Sequence, residues 1–243
     1  MTRFYTVLAS TVFALLVWQG IVWVTGVPSF ILPSPLRVAQ AAIANRVLIA
    51  ENAVVTATEV ALGLMIGTVL GAVTAIQLAS SARLHRMVMP LLIFTQAVPV
   101  FALAPILTLW FGYGIASKVV MAVLIIYFPV TSAFYDGLTR VPSDILDMAT
   151  TMGGTKQQVM RRIRIPHAMP YLGSGLKLAA VYAPIGAVIG EWVGASKGLG
   201  YLMLLANGRA KTDLMFASLF TLAIMTLLLH FAISRLSDRM GRY

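Results

Sequence analysis

Cysteine is absent from this chain of 243 residues, and charged residues are scarce at 11% of the total. Without cysteine the chain can form no disulfide, no thiolate metal site and no cysteine nucleophile. Soluble domains usually carry about 25% charged residues, so this composition excludes a soluble enzyme with an ordinary charged surface. What is present in abundance is apolar: 59% of the residues are hydrophobic and the mean hydropathy is +0.89. The composition therefore indicates an integral membrane protein.

Long stretches without Asp, Glu, Lys or Arg divide the chain into candidate membrane spans. The first runs from Phe4 to Leu36, and about 20 apolar residues are enough to cross a bilayer. The pattern predicts an all-α membrane fold with six transmembrane helices, at about residues 7–25, 57–78, 88–110, 117–136, 177–195 and 213–234. The first run is longer than the apolar core of a signal peptide, so we expect it to remain as a transmembrane helix.

The positive charges predict which loops face the cytoplasm. A formal charge of +10 would also fit a nucleic-acid-binding protein, but in membrane proteins Lys and Arg mark the loops that stay inside the cell. Twelve of them fall in the terminal segments and in the loops after the second and fourth predicted helices, and six, including Lys118, fall in the other loops. We therefore expect both termini and the segment between Asp136 and Lys177 to be cytoplasmic, and no nucleic acid partner.

Small residues and prolines mark two of the predicted helices. The second helix carries three glycines spaced by four residues, at Gly63, Gly67 and Gly71. This spacing places them on one face, where another backbone can approach closely, either within the subunit, which we favour, or across a dimer. The third helix contains Pro90, Pro99 and Pro105, which predict a break because proline removes a backbone donor.

A short helix is expected on the side opposite the cytoplasm. Ser34 precedes Pro35, the arrangement of a capping hydroxyl before a first-turn proline. The stretch from Leu36 to Glu51 then predicts a helix near the membrane surface.

The segment 141–170 is the one sizeable cytoplasmic loop, and it predicts two short helices. Ser143 is expected to cap the first, with Asp144 and Asp147 in its first turn, where the helix dipole favours negative charge. Gly153 and Gly154 are expected to end this helix after about nine residues. Thr155 to Gln158 has the spacing of a capping box that starts the second helix, and Pro166 is expected to close that helix.

The well-marked ends of these helices leave two interpretations open. One is a rigid element that contacts a partner protein. The other is a pair of helices that lie on the membrane with Arg161, Arg162 and Arg164 against anionic lipid.

The same loop resembles the EAA loop of ATP-binding-cassette importer permeases, whose pattern is E-A-A-x3-G-x9-I-x-L-P. The matching residues are Asp147, Met148, Ala149, Gly153, Ile163, Ile165 and Pro166. Asp replaces Glu, Met replaces the first Ala and Ile replaces Leu, while the spacing is kept. The resemblance implies that the short helix docks on an ATPase subunit, with Asp147, Ala149, Gly153, Ile163 and Pro166 as coupling residues.

The resemblance extends over nearly the whole chain and implies an architecture and a set of partners. Motifs such as Gly190-Glu-Trp-Val-Gly194 and Gly198-Leu-Gly-Tyr-Leu-Met203 are similar to permeases for thiamine-precursor pyrimidines, within a branch that imports nitrate, taurine and sulfonates. The resemblance implies a type I, MetI-like fold with a first helix and surface helix over 1–51, a core domain over 52–237 and a cytoplasmic tail over 238–243. The implied partners are an ATPase, an extracytoplasmic binding protein, a second permease copy and the bilayer of a bacterial inner membrane.

No catalytic or cofactor site is predicted in this chain. The sequence has no G-x-x-x-x-G-K-[ST] phosphate loop, so ATP and Mg²⁺ are expected to be bound by the separate ATPase. His85, His167 and His230 have no second ligand at metal spacing.

Five residues are candidates for the substrate path. Glu191 is interpreted as the one ionisable residue well inside an apolar run, and intramembrane charge is costly, so it is expected to face protein or water. It either contributes to the path or its outer gate, or forms a structural pair with Lys197, Arg209 or Lys211, which we favour slightly. Polar or stacking contacts are also possible from Gln96, Tyr127, Tyr182 and Trp192, although each residue type is more often used in packing.

Two other classes of protein remain as alternatives. An ion-coupled secondary carrier usually needs embedded ion sites and often inverted repeats. A membrane scaffold would not need a capped cytoplasmic helix.

Overall fold

The computed structural model describes residues 2–240, and these residues are almost entirely helical. The predicted all-α fold is confirmed. The elements are α1 (Thr2–Thr25), α2 (Pro35–Ala44), α3 (Arg46–Ser80), α4 (Ala82–Ala97), α5 (Val100–Phe111), α6 (Ile115–Thr139), α7 (Ser143–Thr151), α8 (Lys156–Val159), a π-turn (Met160–Arg164), α9 (Ile165–Gly194), α10 (Leu199–Gly208) and α11 (Thr212–Met240).

Four helices of the described chain are long and apolar enough to cross a membrane. They are α3, α6, α11 and the continuous helix Lys156–Gly194 that α8, the π-turn and α9 form together. The bent pair α4–α5 is a fifth candidate, and the apolar part of α1, Ala9–Thr25, is shorter than these spans. The six predicted spans thus correspond to four long spans, one broken span and one shorter apolar helix.

The third predicted span is broken at the middle one of its three prolines. Helices α4 and α5 meet at an angle of 99°. Val98 is extended, with φ −82° and ψ 121°, because the residue before a proline avoids the helical region. Pro90 and Pro105 lie inside α4 and α5 without ending them. The predicted single helix over 88–110 is therefore wrong in shape, and the predicted break is confirmed at Pro99.

The predicted helix end at Pro166 is wrong, because the chain continues as one helix from Lys156 to Gly194. The π-turn lies just before this proline, and the N–H of Ile165 bonds to the carbonyl of Met160. Proline has no N–H to donate, and a local π-helical adjustment such as this one satisfies the backbone groups that it frees. The span predicted to begin at residue 177 therefore begins far earlier, inside the predicted loop.

Helix α7 forms inside the loop with the nine residues expected, but its beginning differs from the prediction. Pro142 occupies the cap position, and no side chain caps the helix. Ser143 is the first helical residue, and its hydroxyl lies 3.2 Å from Asp144 Oδ1. Asp144 is in the first turn but Asp147 is one turn further on. The preceding proline explains the difference, because its fixed backbone angle leads the chain directly into the helix.

Glycine ends helix α7 as predicted. Gly153 has a φ of +80°, a left-handed conformation that residues with a Cβ rarely adopt. The N–H of Gly154 bonds to the carbonyl of Ala149 at 2.9 Å. The predicted capping box follows, and the side chains of Thr155 and Gln158 each accept a hydrogen bond from the other residue's backbone N–H.

The predicted surface helix over Leu36–Glu51 is divided at Asn45. Ser34 caps α2 as predicted, accepting a hydrogen bond from the N–H of Arg37 at 3.4 Å. The Asn45 amide then bonds to the carbonyl of Ala41 at 2.9 Å and ends α2. Residues 46–51 form the first turns of α3, which crosses the predicted boundary at residue 51.

The last helix is longer than expected. α11 continues to Met240, beyond the predicted end at residue 234. The rest of the predicted tail, including Arg242, lies outside the described residues.

The three spaced glycines of α3 let α6 approach within the same subunit, as predicted. A Cβ added to Gly63 would lie 2.6 Å from the Cβ of Ala122, and one added to Gly67 would lie 2.7 Å from the Cδ1 of Ile126. Real side chains do not tolerate such distances. The favoured prediction of packing within the subunit is confirmed.

A second glycine stripe lies on α9 and packs in part against α6. It consists of Gly186, Gly190 and Gly194, again spaced by four residues. A Cβ added to Gly186 would lie 2.7 Å from the Cα of Ala122 and 3.1 Å from the carbonyl oxygen of Met121. The backbones of α3 and α9 therefore both come close to that of α6, and both do so at Ala122.

We predict that Gly186→Ala lowers the melting temperature of the detergent-solubilised protein. The added methyl group meets backbone atoms of α6, which no rotamer change can move, and overpacking of this kind costs about 1–3 kcal/mol. The control is Gly20→Ala, where a Cβ meets nothing within 4 Å, and alanine favours the helix by up to about 1 kcal/mol. Equal melting temperatures for the two variants would contradict the packing described here.

Candidate functional site

Helix α7 presents apolar side chains to its surroundings. Ile145, Met148 and Met152 are 42%, 62% and 79% exposed. Their spacing of three and four residues places them on one face of the helix, and we call these three residues the α7 apolar stripe. Leu146 and Ala149, by contrast, are half-buried. An exposed apolar stripe on a short helix is typical of a protein contact surface.

The structure divides the predicted coupling residues between two neighbouring elements. Asp147 is exposed in α7, Ala149 lies on its half-buried side and Gly153 forms its left-handed end. Ile163 is half-buried in the π-turn, and Pro166 is exposed in the first turn of α9. The loop pattern therefore marks one short exposed helix and the start of the long span that follows it.

A buried polar cluster lies near the other end of this long span, around Glu191. The residue is 1% exposed, and its carboxylate accepts hydrogen bonds from the hydroxyl of Thr56 at 2.6 Å and from the backbone N–H of Gly200. Gly200 belongs to the first turn of α10. Negative charge is favourable there because the N–H groups of a helix start are unpaired and the helix dipole is positive.

Two side chains of α3 complete the cap of α10. The Thr56 hydroxyl accepts from the N–H of Leu199 at 2.8 Å. The Asn52 carbonyl oxygen accepts from the N–H of Gly198, also at 2.8 Å. A side chain at Gly198 would collide with the Glu191 carboxylate, and its φ of +117° already favours glycine. The motif Gly198-Leu-Gly200 thus lets the chain approach the carboxylate.

Two further ionisable side chains are buried beside the cluster. Lys118 is 1% exposed, and its ammonium group donates to the carbonyls of Tyr113 at 2.7 Å and Gly194 at 3.1 Å. Glu59 is 3% exposed, and within the described chain its Oε2 has no hydrogen-bond partner. The two carbonyl partners of Lys118 offset part of the cost of burying its charge.

These observations correct three sequence-based expectations. Glu191, interpreted as the one ionisable residue well inside an apolar run, is not the only ionisable residue buried in the described spans, because Glu59 and Lys118 are buried there as well. Lys118, counted among the loop charges although it lies at the edge of the span predicted over 117–136, is buried inside α6. The described chain contains no ion pair within 4.0 Å between Glu191 and Lys197, Arg209 or Lys211.

A sequence signal for the missed residues was present. Asn52, Thr56 and Glu59 repeat at helical spacing on the same face as Gly63 and the glycines after it. One face of α3 therefore carries polar residues in its first turns and small residues in the turns that follow. The helix was predicted to begin at about residue 57, so this stripe was divided between a surface helix and a span.

The other four candidate path residues are distributed over α4, α6 and α9. Gln96 is exposed near the end of α4, and its amide lies 3.3 Å from the Thr95 hydroxyl. Tyr127 is half-buried in α6, with its hydroxyl 2.8 Å from that of Thr74. Tyr182 and Trp192 are 41% and 51% exposed on α9. A substrate path through these residues therefore stays a prediction.

We predict that Thr56→Val destabilises the protein while Thr56→Ser does not. Valine has the shape of threonine but lacks the hydroxyl, so the Leu199 N–H and a Glu191 oxygen each lose a partner in a buried site. Leaving a buried polar group unpaired costs about 1–3 kcal/mol. Thermal unfolding in detergent measures the difference, and similar melting temperatures for the two variants would show that the cap of α10 contributes little.

Most of the chain matches a family of transport proteins. The family is described as "Binding-protein-dependent transport system inner membrane component", and the match covers residues 67–242. This region contains the loop helix α7 and the long span that carries Glu191.

Three relatives are similar over most of their length. A protein of Haemophilus influenzae named "Probable ABC transporter permease protein" is 47% identical, covering 93% of this chain and 92% of the relative. The formylaminopyrimidine transport permease protein ThiX of Halalkalibacterium halodurans is 36% identical, covering 98% and 96%. The riboflavin transport system permease protein RibX of Chloroflexus aurantiacus is 35% identical, covering 89% and 81%.

A solved structure shares the fold. It is a chain of the MetNI methionine ABC transporter in an inward-facing conformation, with a TM-score of 0.72 and 20% identity, and the match covers 82% of this chain and 98% of that chain. At this identity the likeness shows the fold alone, which is that of a MetI-like permease. The family match, the relatives and the fold agree, and the chain belongs to the inner membrane components of binding-protein-dependent transport systems, the permease subunits of ABC importers.

Proposed function

We propose that this permease forms, as a homodimer, the translocation path for a small heteroaromatic solute, and that a separate ATPase drives it through α7. The observation that carries the proposal is the exposed apolar stripe on a helix with a defined end between two long spans. ATP and Mg²⁺ are bound by the ATPase, and this chain carries no cofactor and performs no covalent chemistry. An extracytoplasmic binding protein delivers the solute.

The proposed coupling follows from the position of α7. The α7 apolar stripe enters a cleft of the ATPase, and closure of the ATPases on ATP moves α7 together with the start of the long span behind it. Gly153 ends α7 at a defined residue. A displacement of α7 is therefore transmitted to the span that follows. ATP shifts the equilibrium only if it favours one of two packings of the spans.

The proposed role of Glu191 is to position α10 at the extracytoplasmic end of the path. Its carboxylate holds the start of α10 against α3 and α9. When a gate at this end opens, these hydrogen bonds either break or move together with the helices that they join. Direct contact with the solute is not required for this role.

The proposed orientation places both termini in the cytoplasm of a bacterial cell, with α2 and α10 on the outer side. Because Lys118 is buried and does not belong to a loop, five Lys and Arg residues remain on the outer side against twelve on the inner side. The charge bias that sets membrane orientation is thus stronger than it was from sequence alone.

The proposed solute is a thiamine-precursor pyrimidine. A relative named for formylaminopyrimidine transport covers nearly the whole chain. The relative named for riboflavin transport is almost as similar, so a flavin is the second candidate, and both are planar nitrogen heteroaromatics. Sulfonate, taurine or nitrate is the alternative within the same machinery.

We predict that Met148→Glu weakens ATPase binding about thirtyfold or more. A charge placed in the centre of an apolar contact costs about 2 kcal/mol or more, as for a hot-spot residue. Ser143→Glu is the control, because it adds the same charge at an exposed position of α7 that lies about 140° around the helix from Met148. Affinity of the purified permease for the ATPase and ATP-driven uptake are measured together, and equal losses in both variants would exclude the stripe as the docking surface.

We predict that uptake into proteoliposomes containing permease, ATPase and binding protein is specific for the pyrimidine. Unlabelled formylaminopyrimidine should compete with its labelled form, whereas taurine and nitrate should not. Competition by riboflavin at similar concentrations would favour the flavin candidate. Uptake that runs on an ion gradient without ATP would overturn the importer mechanism and favour a secondary carrier.

A further inference from the structure

A cavity of about 740 Å³ lies between α7 and the ends of the neighbouring spans. Its walls come from the last turns of α3, from α7 and from the helix that begins at Lys156. The volume lies in the range of small-ligand sites, which is about 300–1,000 Å³. The π-turn forms part of the wall, and π-turns inside helices are frequent at functional sites.

The cavity is lined by both basic and apolar residues. Lys156, Arg161 and Arg164 supply its positive charge, while Ile76, Leu146 and Ile165 are among its apolar residues. None of the described residues that line it is acidic. In the part of the chain that the structure describes, the two ion pairs join Arg140 to Asp136 and Lys177 to Asp238, so the three cavity cations have no carboxylate within 4.0 Å.

The cavity opens at the level where α3 ends its apolar run. Ile76, Ala79 and Ser80 belong to its wall, α3 ends at Ser80, and the next charges in the sequence are Arg83 and Arg86. In the proposed orientation this is the cytoplasmic membrane–water boundary. Anionic lipids of that leaflet attract basic residues, and basic pockets between transmembrane helices bind their headgroups.

We propose that this cavity binds the headgroup of an anionic phospholipid from the inner leaflet. The phosphate lies against Arg161 and Arg164, and an acyl chain follows the apolar wall formed by α3 and the start of α9. A free phosphate ion would use the cations but leave the apolar wall uncovered. The lipid would thus sit behind α7, between the coupling helix and the spans.

The face of α7 that lines the cavity differs from the face proposed for ATPase docking. Leu146 and Thr150 face the cavity, whereas Ile145, Met148 and Met152 form the α7 apolar stripe. At 100° per residue, the two sets lie on different sides of the helix. The lipid and the ATPase can therefore bind at the same time. Lipid binding does not depend on the proposed function, whereas any effect of the lipid on transport rests on the proposed ATPase contact.

The test measures lipid binding by the permease without its ATPase. Purified protein is titrated with dioctanoyl phosphatidylglycerol, and bound lipid is counted by native mass spectrometry. Dioctanoyl phosphatidylcholine and inorganic phosphate are titrated in parallel. Since a basic residue near an anionic lipid contributes about a fivefold change in affinity, Arg161→Ala/Arg164→Ala should bind phosphatidylglycerol about 25-fold more weakly.

Two controls separate charge from folding. Arg162→Ala removes a neighbouring charge of the same π-turn that does not line this cavity, and it should bind the lipid like the unmodified protein. Arg161→Lys/Arg164→Lys keeps the charge and should retain most of the binding. Equal melting temperatures among the variants show that the fold is intact. If the double alanine variant melts at a lower temperature, lipid binding by Arg161→Lys/Arg164→Lys and by the single variant Arg164→Ala is compared instead.

Each contrary outcome overturns the proposal. Equal lipid binding by the double alanine variant and Arg162→Ala removes the site. Displacement of the lipid by inorganic phosphate at equal concentration shows a free-anion site, and equal binding of phosphatidylcholine shows an unspecific apolar groove. If the double alanine variant keeps its lipid but loses the ATPase in phosphatidylcholine nanodiscs, the arginines belong to the protein interface.

Discussion

The close approach of α6 to α3 and α9 is the contact on which the rest of the structure depends. Helices in a membrane gain little from the hydrophobic effect against each other, so association rests on van der Waals contact between small residues. Here glycines of both α3 and α9 meet α6, at Gly67 and Gly186 among others. Once these three helices are fixed, the positions of the exposed helix α7 after α6 and of the basic cavity beside α3 follow from short connections.

The polar cluster around Glu191 holds neighbouring helices together, as the glycines do along the middle of the spans. Asn52, Thr56 and Glu191 bind three successive backbone N–H groups at the start of α10. This arrangement satisfies donors that would otherwise be unpaired in a buried setting. The same face of α3 therefore changes from hydrogen bonding to close packing within a few turns, and both parts serve to hold neighbouring helices.

The sequence predicted those features that depend on neighbouring residues along the chain. The end of α7 at Gly153 and the capping box at Thr155 need only local geometry, and both are confirmed. The early start of α3 and the continuation past Pro166 depend on tertiary packing and on a π-turn, which no local pattern indicated. Glu59 and Lys118 were missed for the same reason, because a charge at a helix end looks exposed until another helix covers it.

The unbroken path of the fifth span has a mechanical consequence. Lys156 and Glu191 belong to one helix, and at 1.5 Å per residue they are separated by about 53 Å. Over that length, a tilt of about 10° shifts one end relative to the other by about 9 Å. With the packing against α6 as the pivot, a small rotation imposed beside α7 would reach the seat of α10 as a displacement larger than a water molecule, with no relay of side chains between them.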